Sequence, residues 1–103
     1  MAKTIDELIE AGNAIDPSDA SGTMTKAGRA LEKHGGRPGS VFPPATGNVA
    51  AKNTMGAVVL SNILRVAGTI VKPNRFGGSD YIATDGHGAR FDLNEEFMGF
   101  LEP

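Results

Sequence analysis

The chain has 103 residues, 40% hydrophobic and 21% charged, which suits one domain with a single modest core. It contains no cysteine, which excludes disulfides and thiolate metal sites, and no apolar run of membrane-spanning length. The formal net charge of −2 hides a segregation: residues 1–25 carry −4, residues 26–75 carry +7 and residues 76–103 carry −5. A basic middle between acidic ends points to a polyanion-binding face on a protein that is not basic overall.

The opening Met1-Ala2-Lys3-Thr4-Ile5-Asp6-Glu7 has no signal-peptide core, so export would depend on something outside this sequence. Thr4 followed by Glu7 is a capping box, Ile5, Leu8 and Ile9 make one apolar face, and Gly12 is a stop, so residues 4–12 read as a short helix. Residues 13–23 are turn formers with few apolar anchors. Residues 1–25 are thus expected to be an acidic, loosely packed opening to a compact domain over residues 26–103.

A second helix is expected over about 24–34, capped by Thr23 or Ser21. Met24, Ala27, Ala30, Leu31 and His34 share one face, so His34 is the polar end of an apolar stripe. Gly35 is placed to take the left-handed conformation that ends a helix, Gly36 continues the turn, and Pro38 blocks resumption. Val41 and Phe42 should anchor the following proline-rich loop on the core. Asn48 is a plausible cap for the longest helix, about 49–66. Its stripe is Met55, Val59, Ile63 and Val66, widened by Leu60 and Leu64, and interior Gly56 is explained by close packing.

After Gly68 the pattern turns to strands: residues 69–72, 81–84, 89–92 and 97–101, with Asp85-Gly86-His87-Gly88 a tight turn. Strict alternation in the last strand sets Phe97, Gly99 and Leu101 on one face and Met98 and Phe100 on the other. Helices followed by an antiparallel meander predict an α+β domain, with the N-terminal helices on one face of a small sheet.

Hydrolytic nucleophile systems fit poorly: there is no Gly-x-Ser-x-Gly elbow, no P-loop, and only two histidines. A metal site at Asp85, His87 and Asp92 would lack a second nearby histidine, so no metal and no cofactor is expected. Metal-independent RNA cleavage demands less, because the 2′-hydroxyl is itself the nucleophile. The protein then supplies a base, an acid and cations for the developing phosphorane charge. His34 suits the proton work, with His87 the only other imidazole. Arg37 and Arg75 suit bidentate phosphate contacts, and Phe76 a stacked base. A non-catalytic nucleic-acid or protein-binding module, or a DNase, uses the same basic middle and stays open at this point.

The segment from Ala27 to Pro43, Ala27-Gly28-Arg29-Ala30-Leu31-Glu32-Lys33-His34-Gly35-Gly36-Arg37-Pro38-Gly39-Ser40-Val41-Phe42-Pro43, resembles the C-terminal toxin modules of bacterial polymorphic toxins, the contact-dependent growth-inhibition and Rhs-type proteins. The resemblance continues through Gly47-Asn48, Ala50-Ala51 and Asn53. It resumes at Arg75-Phe76-Gly77 and runs out through Asp85–Asp92 and Phe97–Pro103. It implies a ribonuclease toxin of the barnase/EndoU/colicin/RelE-like class, with tRNA a common target and a cognate immunity protein as partner. It further implies secretion or surface delivery within a larger toxin and action in a neighbouring bacterium's cytoplasm. His34 and Arg75 inherit the catalytic roles; His87 stands where Arg is expected, so no role carries over to it, and it is a catalytic candidate only as the second imidazole. Arg29, Lys33, Arg37, Lys52, Asn53 and Arg90 are the candidate RNA contacts. An inhibitor of the basic face should present acidic groups.

Overall fold

A computed structural model describes residues 3–35 and 37–103. Three helices, α1 (Ile5–Asn13), α2 (Lys26–Gly35) and α3 (Val49–Arg65), precede four strands, β1 (Ile70–Pro73), β2 (Ser79–Ile82), β3 (Gly88–Phe91) and β4 (Phe97–Leu101). The strands form an antiparallel meander in the order β1-β2-β3-β4, with the helices on one face, as the hydrophobic pattern predicts.

The helix starts follow from side-chain acceptors. The Thr4–Glu7 capping box is present, and the Asn48 side chain accepts from the Ala51 amide at 2.8 Å. Helix α2 differs from expectation. Thr25, not Thr23 or Ser21, caps it, accepting from the Gly28 amide at 2.9 Å. The serine–threonine pair instead folds around Asp19, whose carboxylate accepts from the Met24 and Thr23 amides and the Ser21 hydroxyl. Those bonds, led by the Met24 amide, push the Asp19 carboxyl down to about 2. Gly35 is likewise not a left-handed stop. It remains helical, and it must be glycine because a Cβ there would lie 2.3 Å from the Pro43 carbonyl oxygen. Gly36, expected to continue that turn, lies outside the described residues.

The core is layered between helices and sheet. Ala27 and Leu31 of α2, Leu60, Ile63 and Leu64 of α3, Phe42 of the loop, and Ala89, Phe91, Phe97 and Phe100 of the sheet are buried together. The buried stripe of α3 centres on Gly56, Leu60 and Ile63, while Val66 is exposed. Gly56 sits where α3 crosses α2, and a Cβ would lie 2.5 Å from the Ala27 carbonyl carbon and the Gly28 nitrogen. Against the expectation of a loosely packed opening, Leu8 of α1 is 2% exposed. Gly12 abuts Leu60, and Ile15 bridges to Thr25. The acidic opening is apolar on its inner side, which its charge disguises in the sequence.

Strict alternation fails in β4. Ala89 pairs with Phe100 and Arg90 with Gly99, but Phe91 pairs with Phe97, so Met98 is an extra residue in a β-bulge. The bulge turns both Phe97 and Phe100 into the core and leaves Met98 exposed. Three five-residue loops join the strands, each closed by the same pair of backbone bonds: 74–78, 83–87 and 92–96. The fourth loop residue has positive φ in every case: Gly77 at 79°, Gly86 at 92° and Glu95 at 60°. These positions recur every nine residues, a spacing masked by the glutamate in the third loop.

Candidate active site

Helix α2 and the edge strand β4 run side by side, and a cleft of about 430 Å³ opens between them. Lys26, Arg29, Ala30, Lys33 and His34 line one wall, Phe97 to Phe100 the other, and Asp16 and Pro17 close one end. The helical lining residues are spaced i, i+3, i+4, i+7 and i+8, a single face. The three cations therefore stand in a row about 10 Å long, ending at the imidazole.

His34 has a side chain only 14% exposed, yet it reaches the cleft. Its Nδ1 donates to Glu102 Oε2 at 2.8 Å. The same carboxylate accepts from the Ser40 hydroxyl at 2.8 Å and from the Val41 amide at 3.4 Å. These bonds, the His34 one foremost, hold the Glu102 carboxyl below the ordinary carboxylate range. The ring lies 5.2 Å from the Phe42 ring and 6.5 Å from Phe100, centroid to centroid. Nδ1 is thus taken by the protein, while Nε2 has no hydrogen-bond partner among the described residues and is not sealed in.

Arg29 is the cation that the fold has prepared most. Its Nε is buried and has no hydrogen-bond partner among the described residues; the nearest carboxylate oxygen, Asp16 Oδ2, stands 3.7 Å away. A buried N–H without an acceptor costs about 1–3 kcal/mol, so the position is set to gain from an incoming oxygen. Asp16 does not move in to satisfy it, because its other oxygen is held by the Ser18 hydroxyl at 2.7 Å and amide at 2.8 Å. The Ser18 hydroxyl, then its amide, lower the Asp16 pKa.

The remaining sequence candidates fall elsewhere. Arg75 sits in the β1–β2 loop, at the opposite edge and opposite end of the sheet from His34 and Glu102, on the order of 20 Å away by strand spacing and rise. There it stacks on Phe76, 4.9 Å from the ring centroid, with Arg90 at 5.3 Å from the same ring. Arg90 is committed to structure: its Nε and Nη2 each donate to Asp80 at 2.9 Å, and Asp80 is 4% exposed. The Arg90 bond chiefly lowers the Asp80 pKa.

His87 is near His34 but separated from it by the Phe42 ring, which its own ring meets edge-on at 4.6 Å. Both of its nitrogens are engaged, Nδ1 with Asp85 Oδ2 at 2.7 Å and Nε2 with the Val41 carbonyl at 2.8 Å. It lines a separate apolar pocket between the 41–43 loop and α3. Lys52 pairs with Glu32 at 2.8 Å, and Asn53 ties α3 to Thr23 and Thr25. Arg37 lies in a groove on the far side of Glu102, with Ser40 and Val41. The structure therefore joins His34, Arg29 and Lys33 and adds Lys26, Asp16 and Glu102. The i, i+3, i+7 row of cations was readable in the sequence; Glu102, 68 residues from His34, had no local signal.

Helices on one face of an antiparallel meander, with an imidazole at the end of a row of cations, define a small α+β module with a cationic cleft. The family model for the CdiA C-terminal tRNase toxin domain matches residues 14–102, and the chain belongs to that family. It is a ribonuclease toxin module, which selects the RNase reading over a passive binding module or a DNase. The crystal structure of the toxic C-terminal tip of CdiA from Pseudomonas aeruginosa, in complex with an immune protein, is similar with a TM-score of 0.68. It is 27% identical over 87% of this chain and 98% of that one. A comparison with curated protein sequences gives no significant match. No helix among the described residues is long and apolar enough to cross a membrane.

Proposed function

We propose that the α2–β4 cleft is the tRNA-cleaving centre and that His34 transfers the proton. Nε2 takes the proton of a ribose 2′-hydroxyl as O2′ attacks the adjacent phosphorus. The P–O5′ bond breaks, leaving a 2′,3′-cyclic phosphate, and the 5′-oxygen leaves with a proton from the Lys33 ammonium. Arg29 receives a phosphate oxygen on its unmatched Nε–H and, with Lys26, offsets the charge of the phosphorane. No metal takes part in this scheme. The observation that carries it is the imidazole held by a carboxylate at the end of the cation row.

In this reading residues 26–103 supply the chemistry, and the opening contributes Asp16 and a buttress of α1 on α3. The module acts in the cytoplasm of a target bacterium, as the delivered tip of a larger CdiA protein. A cognate immunity protein blocks it by laying acidic groups over the cleft. The immune protein bound to the Pseudomonas tip supports that partner.

The test is tRNA cleavage by wild type and His34→Ala, with EDTA present. Wild type should remain active, and the variant should lose about 10²–10⁴-fold with its circular dichroism and immunity-protein binding intact. Cleavage retained by His34→Ala, or abolished by the chelator in wild type, refutes the scheme.

A further inference from the structure

We infer that Glu102 is a positioning residue for the cleavage reaction, fixing the tautomer and the direction of His34; the inference rests on His34 being the proton-transfer group. An ionised carboxylate only accepts hydrogen bonds. The 2.8 Å contact between Glu102 Oε2 and Nδ1 therefore requires the proton on Nδ1, whether the ring is neutral or charged. In the neutral ring the lone pair is then on Nε2, the nitrogen without a protein partner.

Glu102 can impose this because it is itself held. Ser40 donates to the same oxygen that meets His34, and the Val41 amide approaches the other. The next residue, Phe42, is 3% exposed, and its ring packs against the His34 ring together with that of Phe100, 5.1 Å from Phe42. Rotation of the imidazole out of line would break the Glu102 bond and the contact with Phe42. The loop after α2 and the end of β4 thus converge on one nitrogen. Without the carboxylate, the ring would sample the Nε2–H tautomer, which cannot accept the 2′-hydroxyl proton.

A merely structural Glu102, one that only ties the 40–41 loop down, would also lower stability when removed. The discriminating measurement is therefore the tautomer, read from imidazole ¹⁵N shifts at about pH 8, where a free histidine is neutral. It is paired with kcat and KM on tRNA for Glu102→Ala, Glu102→Gln and Ser40→Ala.

In Glu102→Ala, kcat should fall on the order of 100-fold with KM within about threefold, and the Nε2–H tautomer should become populated. Glu102→Gln can turn an amide N–H toward Nδ1 in place of the acceptor oxygen, so it should also populate the Nε2–H tautomer and lose at least about 100-fold in kcat. Ser40→Ala removes a support of the carboxylate without touching the ring and should fall between wild type and Glu102→Ala.

The inference is overturned if Glu102→Ala retains the Nδ1–H tautomer, or if its loss of activity follows only its loss of folded protein. An inactive His34→Ala beside a fully active Glu102→Ala sinks the positioning role alone. An active His34→Ala sinks the active-site reading and this inference with it.

Discussion

Replacing Gly56 with alanine separates local propensity from packing, because the two predict opposite signs. Alanine in the middle of an exposed helix is worth about 1 kcal/mol over glycine. At Gly56, however, the added methyl would stand 2.5 Å from the Ala27 carbonyl carbon and the Gly28 nitrogen, both backbone atoms that no rotamer change can move. Ordinary contact requires α2 and α3 to separate by about 1 Å. Such overpacking costs about 3 kcal/mol where backbone must shift, so the net effect is a loss of about 2 kcal/mol. For a chain of this length that lowers Tm by about 8–16 °C.

The same displacement reaches the site, since α2 carries His34 and the Glu102 bond is only 2.8 Å long. An error of about 1 Å in such a contact costs on the order of 100-fold in rate. Thermal and urea unfolding of Gly56→Ala, with tRNA cleavage at a temperature where it is folded, tests both consequences. An unchanged or raised Tm with wild-type kcat would refute the argument that backbone contact between α2 and α3 sets the position of the site.

Two further outcomes concern the loops. Glu95→Gly should raise stability by ~0.5 kcal/mol, or about 2–4 °C in Tm, because Glu95 holds the positive φ that Gly77 and Gly86 occupy in the sister loops; a lower Tm would show that the Glu95 contact to the Lys3 amide outweighs the backbone strain. Asp19 has its folded pKa pushed from the ordinary 3.8 down to about 2, so its contribution is present above pH 4 and is lost as pH falls toward 2. Urea midpoints between pH 2 and pH 6 should fall less steeply for Asp19→Asn than for wild type, and parallel curves would exclude the loop cap as the source.

The periodic parts of the fold were legible because their signals are local. Thr4 with Glu7, Asn48 before Val49, and the apolar face of α2 each act within one or two turns of helix. The β4 bulge was not legible: nothing near Met98 announces that Phe91, on another strand, will pair with Phe97 rather than hold the alternation. Gly35 misled for a similar reason. Its role is set by the approach of Pro43 and Pro44, not by the turn that follows it. At the site, the histidine and the row of cations lie on one helix face and could be read together. Arg75 could not be separated from them, since distance across a four-stranded sheet is invisible until the strand order is known.

The bond between His34 and Glu102 joins residues 68 positions apart, across every helix and strand boundary that follows α2. Closing so long a loop is entropically unfavourable unless the intervening structure has already formed. In the proposed mechanism a partly unravelled chain is therefore inert, even where α2 survives as a helix with all its cations. Potency is then a property of the completed fold, and the return of cleavage should follow refolding.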